Sequence, residues 1–191
     1  MEQINQPRLL ALDLAKTRFG WAYAGPNTDW TPVSGEDRFA AGPTTGAMLE
    51  GCFDWCAARF APNHELPVDL VICEEPIPDP FLKGKTTAET SRIKWGLPAI
   101  VETIARKRGL RFYYANVSTV RKHFIQRGNL KDQDAKRRVA RRCHALGWLA
   151  DDEVHQTDRA DALAILAYAM HRLLPEIAKE TTPLFAGDPA A

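Results

Sequence analysis

The sequence lacks the features that mark membrane, secreted and disulfide-stabilised proteins. Its longest apolar run, residues 162–170, has nine residues, whereas a membrane-spanning helix needs about 20. The first seven residues, Met-Glu-Gln-Ile-Asn-Gln-Pro, have neither the basic nor the apolar region of a signal peptide. Only four cysteines are present and no two form a Cys-x-x-Cys pair, so the spacing predicts buried thiols rather than a metal site. We therefore expect a cytoplasmic protein with no membrane segment.

Two common hydrolase motifs and a strong net charge are also missing. Residues 84–86 (GKT) lack the upstream glycine and strand of a P-loop, and no Gly-x-Ser-x-Gly is present. The chain has 25 Lys and Arg against 24 Asp and Glu, which leaves a formal charge of +1. Taken over the whole chain, this balance gives no indication of a polyanionic partner.

The pattern of apolar residues predicts a single α/β domain with a mixed sheet and helices on its faces. We expect residues 1–7 to be a flexible N-terminus, residues 8–175 to be the domain and residues 176–191 to be a C-terminal tail. The predicted strands are residues 8–14, 19–24, 36–40, 68–73 and 110–115. The predicted helices are residues 44–60, 91–107, 118–145 with a break near Gly128, and 153–174.

Acidic residues interrupt the apolar pattern of two predicted strands and one predicted helix. Asp13 interrupts an apolar strand, where an isolated carboxylate costs several kcal/mol unless it is paired. Glu74 and Glu75 end a second such strand, and because adjacent strand residues point to opposite faces, only one of them can share a site with Asp13. Asp158 and Asp161 open an Ala- and Leu-rich helix on one face. Interruptions of this kind in several elements at once are typical of a functional site.

Each of these acids also has a purely structural explanation when it is taken alone. Asp158 can cap its helix or interact with the helix dipole, and Asp161 can pair with Arg159 or Arg172. Asp13 can be satisfied by backbone amides. These readings compete with the site hypothesis and stay open at the level of sequence.

Converging carboxylates favour a particular chemistry. At about 4 Å and an effective dielectric constant of about 20, each charged pair repels by roughly 4 kcal/mol. Hard divalent cations such as Mg²⁺ and Mn²⁺, which prefer oxygen ligands, relieve this repulsion. Two such ions about 4 Å apart can activate a water and stabilise a leaving oxygen in phosphodiester cleavage. The pattern therefore predicts a metal-dependent hydrolase of phosphodiesters.

Three motifs in the same order resemble RuvC-type Holliday junction resolvases of the RNase H-like superfamily. Residues 12–22 (LDLAKTRFGWA) are similar to the first strand–turn–strand of that family, and residues 71–74 (VICE) to its second acidic strand. Residues 158–165 (DRADALAI) are similar to its C-terminal Asp-x-x-Asp-Ala helix. The resemblance extends over about residues 8–174 and implies an RNase H-like five-stranded mixed sheet flanked by helices.

The resemblance assigns roles to individual residues. It implies that Asp13, Glu74, Asp158 and Asp161 are catalytic and hold Mg²⁺, for which Mn²⁺ can substitute, with two ions in each active site. It favours Glu74 over Glu75 as the ligand, and it gives His155 a possible assisting role. The important basic residues of the family fall near Arg121 and Lys136. It also implies a homodimer, because resolving a four-way junction requires two symmetric cuts.

The sequence departs from the family at two places. The first motif reads Asp-Leu-Ala-Lys where the family usually has Asp-Pro-Gly-Ser or Asp-Pro-Gly-Thr. The aromatic residue that wedges into the junction in the family corresponds to Ile77, and Phe81 is the nearest aromatic residue in the sequence. These differences put junction specificity in more doubt than nuclease chemistry, and they would suit a phage or mobile-element relative.

The near-neutral total conceals a basic segment. Residues 118–145 hold nine Lys or Arg and two acids, for +7, whereas the other 163 residues hold 16 basic and 22 acidic residues, for −6. A solvated helix face would explain this segment, and so would the neutralisation of DNA phosphates. The loop after Pro76 adds two cations and an aromatic side chain that can stack on a base. The predicted DNA-binding residues are Arg121, Lys122, Lys136, Arg137, Arg141, Lys83, Lys85 and Phe81.

The sequence thus predicts a metal-dependent, structure-selective DNA endonuclease that acts on four-way junctions. Two alternatives remain: another branch or flap nuclease or a ribonuclease H on the same fold, and a catalytically silent DNA-binding factor.

Overall fold

The structure, a computed structural model, describes residues 6–16, 18–39, 42, 44–77, 87–128 and 130–181. Within these ranges the chain forms five strands and six α-helices. They are β1 Leu9–Leu14, β2 Phe19–Ala24, β3 Val33–Asp37, α1 Thr45–Arg59, β4 Leu70–Glu74, α2 Ala88–Lys107, β5 Arg111–Ala115, α3 Val117–Phe124, α4 Asp132–Ala145, α5 Thr157–Leu173 and α6 Pro175–Thr181. The predicted α/β class is confirmed.

The strands form one mixed sheet in the order β3-β2-β1-β4-β5. β1 pairs antiparallel with β2 and parallel with β4, while β3 and β5 are the outer strands. β1 and β4 are almost entirely buried, as expected for central strands covered on both faces. Because β1 and β4 run parallel, their carboxyl ends meet at the same edge of the sheet.

Helices cover both faces of this sheet and divide the core in two. On one face α5 packs across β1 and β2, with α3, α4 and α6 around it. On the other face α1 and α2 cover the second core. Helix α5 is buried along most of its length, from Ala160 to Met170, which explains why its sequence is apolar nearly all the way round. No helix in the described ranges is long and apolar enough to cross a membrane.

Several boundaries differ from the sequence-based prediction. β3 begins three residues earlier than expected, and α2 begins at Ala88 because the Thr87 side chain caps it by accepting from the amide of Thr90. A short 3₁₀ turn, Asp151–Glu153, precedes α5, which starts at Thr157 rather than at residue 153. Part of the predicted tail is helical, since α6 covers Pro175–Thr181 and buries Ala178 completely.

Candidate active site

Two neighbouring strands carry Asp13 and Glu74 to the same edge and the same face of the sheet. Residues two apart in a strand share a face, and Asp13 follows Ala11 just as Glu74 follows Ile72. Ala11 and Ile72 both pack in the core beneath α5, so the two carboxylates also point toward α5. Asp13 is only 8% exposed, and Glu74 is half-buried.

Helix α5 brings the other two predicted carboxylates to this edge. Asp158 and Asp161 lie in its first turns, and Asp161 is only 6% exposed. The helix can come this close because Gly20, the partner of Asp13 in the β1–β2 register, has no side chain. A Cβ atom at Gly20 would overlap the backbone carbonyl of Asp158. We call Asp13, Glu74, Asp158 and Asp161 the acidic cluster.

Burial and mutual repulsion shift the protonation of this cluster. Burial raises the pKa of Asp13 well above its usual range, and the carboxylates of Glu74 and Asp161 raise it further. Burial, with the nearby Asp161 carboxylate, raises the pKa of Glu74 from 4.5 to about 7. Burial also raises the pKa of Asp161, against the opposing effect of Lys136. These acids therefore interact with one another, as the convergence hypothesis requires.

A lysine ammonium lies against the acidic cluster. Nζ of Lys136 is 2.9 Å from Oδ1 of Asp158 and 3.5 Å from Oδ2 of Asp161. Burial alone would lower the pKa of Lys136, but the charge of Asp161 and the hydrogen bond to Asp158 outweigh it and raise the pKa overall. Asp161 is thus paired, as its structural explanation requires, although the partner is Lys136 rather than Arg159 or Arg172. Asp158 does not occupy the cap position of α5, which is Gln156, but it lies in the first turn of the helix and pairs with the same lysine.

The donor chemistry of the cluster fits a hard divalent cation, because all four predicted ligands present carboxylate oxygens. The distances between these side chains do not match a metal site. Within the described ranges, no three carboxylate, imidazole or thiolate side chains are grouped closely enough to hold a metal ion. Lys136 instead supplies positive charge to two of the four acids. Binding a cation through this set therefore requires the Lys136 ammonium to give up at least part of its contact with Asp158 and Asp161.

Comparison with solved structures identifies the architecture. Thermus thermophilus RuvC superposes with a TM-score of 0.56 at 14% identity, over 86% of this chain and 95% of that chain. T. thermophilus RuvC in complex with a Holliday junction substrate gives 0.61 at 16% identity, over 86% and 94%. The yeast mitochondrial Holliday junction resolvase Ydc2 gives 0.55 at 13% identity, over 92% and 84%. The chain has the RuvC fold.

No protein-family model and no curated protein matches the sequence. The RuvC fold confirms the resemblance that was read from the three motifs, and with it the predicted RNase H-like sheet. At these identities the comparison establishes architecture. The roles of the individual residues rest on the geometry of this chain.

The two other candidate residues of the site, Glu75 and His155, are both exposed. Glu75 is exposed and accepts a hydrogen bond from Nδ2 of Asn116 at 3.2 Å, so Glu74 is the acid that faces α5 within this RuvC fold. His155 is exposed in the turn before α5. Among the residues that the structure describes, His155 makes no hydrogen bond to any acid of the cluster.

The predicted DNA-binding residues fall into three groups. Lys122, Arg137 and Arg141 are exposed. Lys136 contacts the acidic cluster, and the Arg121 guanidinium is mostly buried and donates to Oδ1 of Asp132 at 2.7 Å, so both are directed inward rather than toward solvent. The remaining three predicted residues lie outside the described residues; they are Phe81, Lys83 and Lys85.

Sequence reasoning missed two residues that shape the site. Gly20 permits the contact between α5 and the sheet, and the sequence offered a signal for it, a glycine inside a strand, which often marks a close backbone approach. Asp132, the first residue of α4, holds Arg121 next to the acidic cluster. It stands in a polar stretch where nothing distinguishes it from a solvent-exposed acid.

Proposed function

We propose that this chain is a metal-dependent, structure-selective DNA endonuclease that cleaves four-way junctions. The observation that supports this most is the acidic cluster, which draws carboxylates from β1, β4 and α5 to one edge of a RuvC fold. Helices α3 and α4, which bring Arg121 and Lys136 to the cluster, also carry exposed cations. T. thermophilus RuvC has been solved with a Holliday junction substrate, which motivates the choice of substrate.

The acids of the cluster would bind metal ions, and Lys136 would neutralise them when no metal is bound. Asp13 and Asp161, which are almost completely buried, would hold Mg²⁺ or Mn²⁺ together with Glu74 and Asp158. When bound, two such ions supply a hydroxide-like nucleophile and stabilise charge on the leaving oxygen. Lys136 would neutralise the cluster in the absence of metal. It would then be free to contact a phosphate oxygen once its carboxylate partners turn to the cation.

The exposed cations would hold the substrate in place. Lys122, Arg137 and Arg141 are exposed on α3 and α4, so their positive charge is available to phosphates. Contacts of this kind to phosphates position a nucleic acid and confer a steep dependence on salt. Two symmetric cuts at a junction require two active sites, so the proposal includes a homodimer. It also keeps the cytoplasmic location predicted from the sequence.

Cleavage of defined substrates tests the proposal. The protein should be incubated with end-labelled four-way junction, 5′-flap and RNA–DNA hybrid in Mg²⁺ and in Mn²⁺, with an Asp13→Asn variant as the inactive control. We expect paired nicks at symmetric positions of the junction and none with the variant. Preferential cleavage of the flap or hybrid would reassign the substrate. DNA binding without cleavage in either metal would instead favour a silent binding factor.

A further inference from the structure

An open pocket lies between the start of α3 and the chain that follows this helix. Its volume is about 530 Å³. Ser118, Thr119 and Lys122 line it from α3, and Arg127 and Gly128 line it from the connection to α4. No acidic side chain is among the described residues that line it.

The two cations of this pocket differ from the neighbouring ones that serve the acidic cluster. Arg121 is paired with Asp132, and Lys136 with Asp158. Lys122 and Arg127 are exposed, and neither forms an ion pair or hydrogen bond with any residue in the described part of the chain. Their positive charge is therefore available to an external anion.

The backbone around the pocket is held in a defined shape. The Asn116 side chain caps α3 by accepting from the amides of Ser118 and Thr119, so these amides are already satisfied. Gln126 adopts a left-handed conformation, with φ of 57°, where the chain turns back after α3. A Cβ atom at Gly128 would stand 3.2 Å from the carbonyl oxygen of Ser118, which shows how closely this turn packs against the helix start.

The pocket is linked to the acidic cluster through α3. Arg121, next to Lys122 in sequence, opposes the burial-driven rise in the pKa of Glu74, so its guanidinium acts directly on the cluster. The α3 cap residue Asn116 also donates to Glu75, which follows Glu74 on the chain. Helix α3 therefore contributes Arg121 to the surroundings of the acidic cluster and Lys122 to the pocket.

We propose that Lys122 and Arg127 form a subsite for one backbone phosphate of the DNA, flanking the phosphate that is cleaved. The inference rests on the proposed function and adds Arg127 to the residues that contact the substrate. The Ser118 hydroxyl already donates to Oδ1 of Asn116 at 2.7 Å, which leaves the Thr119 hydroxyl as a further donor. Two cations and one hydroxyl on one phosphodiester form an arrangement that positions a strand without reading its sequence.

The salt dependence of DNA binding tests whether both cations contact one phosphate. Binding of a labelled four-way junction in EDTA, where metal-dependent cleavage does not occur, should be measured from 50 to 300 mM KCl for Lys122→Gln, Arg127→Gln and the double variant. Each single change should weaken binding about fivefold. The double variant should lower the slope of log affinity against log salt by about 1, the value for one lost phosphate contact. A decrease of about 2 would mean two separate phosphates and would overturn the single subsite, as would wild-type affinity and slope in the double variant.

Lys107→Gln is the matched control. It removes the same charge from an exposed position in the last turn of α2, at the opposite edge of the sheet from the acidic cluster. We expect it to retain the wild-type slope. Melting temperatures of all four variants should match the wild type because the replaced side chains are exposed.

Inorganic phosphate provides a second arm that does not depend on nuclease activity. Phosphate should raise the melting temperature of the wild type above that in chloride of equal ionic strength, and the increase should disappear in the double variant. An equal increase in both proteins would overturn the subsite. Loss of the phosphate effect together with unchanged DNA binding would overturn its assignment to DNA. Normal DNA binding and salt dependence without cleavage would count against the proposed nuclease function and leave the subsite supported.

Discussion

The acidic cluster and the exposed cations of α3 and α4 are both charged, but they differ in burial. Asp13 and Asp161 are almost completely buried, and burial raises their pKa values. Arg137 and Arg141 stand in solvent on the outer side of α4. Charge in the first region is coupled to folding, whereas charge in the second is available to a ligand. Substitutions in the two regions should therefore change different measurements.

The largest effect should come from Asp13→Asn. Loss of one carboxylate at a metal-assisted site removes several kcal/mol of transition-state stabilisation, so cleavage of a junction should decrease at least about 10³-fold. Junction binding should be unchanged. The variant should also be more stable than the wild type in EDTA, because the structure gives Asp13 like-charged neighbours and buries it.

Cleavage kinetics, binding assays and melting in EDTA measure these three quantities separately. Full activity would remove Asp13 from the site. A large loss of stability in EDTA would contradict the convergence of the acids. Asp161→Asn should likewise abolish cleavage, but with a smaller gain in stability, since Asp161 already interacts with Lys136.

Gly20→Ala should be the most damaging change that leaves every charge in place. The added Cβ would overlap the backbone of Asp158, and backbone cannot move aside as the end of a side chain can. We expect a loss of about 3 kcal/mol in the free energy of unfolding and a large loss of cleavage, because α5 must shift away from Asp13. Gly46→Ala in α1 is the control. A Cβ there meets nothing within 4 Å, so denaturant unfolding should show no loss of stability.

The acidic cluster should also make the metal-free protein less stable as pH rises. The pKa of Glu74 is about 7 in the folded protein against 4.5 as its ordinary value. The folded state therefore holds a proton that the unfolded state has lost between these pH values. The contribution of Glu74 to stability is present below pH 4.5 and is lost by about pH 7, an effect on the order of 3 kcal/mol. Urea unfolding in EDTA across this range should show the decline.

Two Glu→Gln substitutions distinguish the loss of stability caused by Glu74 from that caused by other titrating groups. Glu74→Gln should remove much of the decline, and Glu75→Gln, at the exposed neighbouring position, should retain it. Identical profiles for the wild type and Glu74→Gln would show that Glu74 does not titrate in the cluster.

The acids of the cluster were predictable from sequence, whereas the ion pairs that Lys136 forms with two of them were not. Asp13, Glu74 and Asp161 each break a local apolar pattern, and such a break is visible in the residues around it. Lys136 is one of nine cations in residues 118–145, and its neighbours Arg137 and Arg138 are exposed. Only the rotation of α4 against α5 turns Lys136 toward the acids, and that rotation depends on packing between distant segments.

The same reasoning explains the limits of the fold prediction. The central strands β1 and β4 are predictable because they are continuously apolar, whereas the outer strand β3 is a polar segment. The order of the strands in the sheet depends on pairing between distant segments, which no local pattern indicates. Helix α6 was predicted as tail because its short sequence has no apolar periodicity. In the structure Ala178 is fully buried within the core under α5, and Ile177 packs against the same core. Two apolar residues in so short a segment carry too little signal to predict a tertiary contact.

Lys136→Gln should change the acidic cluster less than loss of an acid but more than loss of a surface charge. Without the ammonium, Asp158 and Asp161 lose their shared partner, and a half-buried pair of this kind is worth about 2 kcal/mol at neutral pH. The free energy of unfolding in EDTA should decrease by this amount. Mn²⁺ should then raise the melting temperature more than it does in the wild type, because the cation no longer displaces Lys136. Arg137→Gln, the next residue on α4, should change neither quantity.

The smallest effect should come from Arg141→Gln on the outer side of α4. Arg141 is exposed, so its loss should change the free energy of unfolding by less than about 0.5 kcal/mol. Loss of one phosphate contact should weaken junction binding a few-fold and lower the salt slope by about 1. The same change should leave the cleavage rate at saturating junction unaltered, because Arg141 lies outside the acidic cluster. A decrease in that saturated rate, with binding unchanged, would mean that exposed charge on α4 also acts on the chemical step, and the two regions would then not be independent.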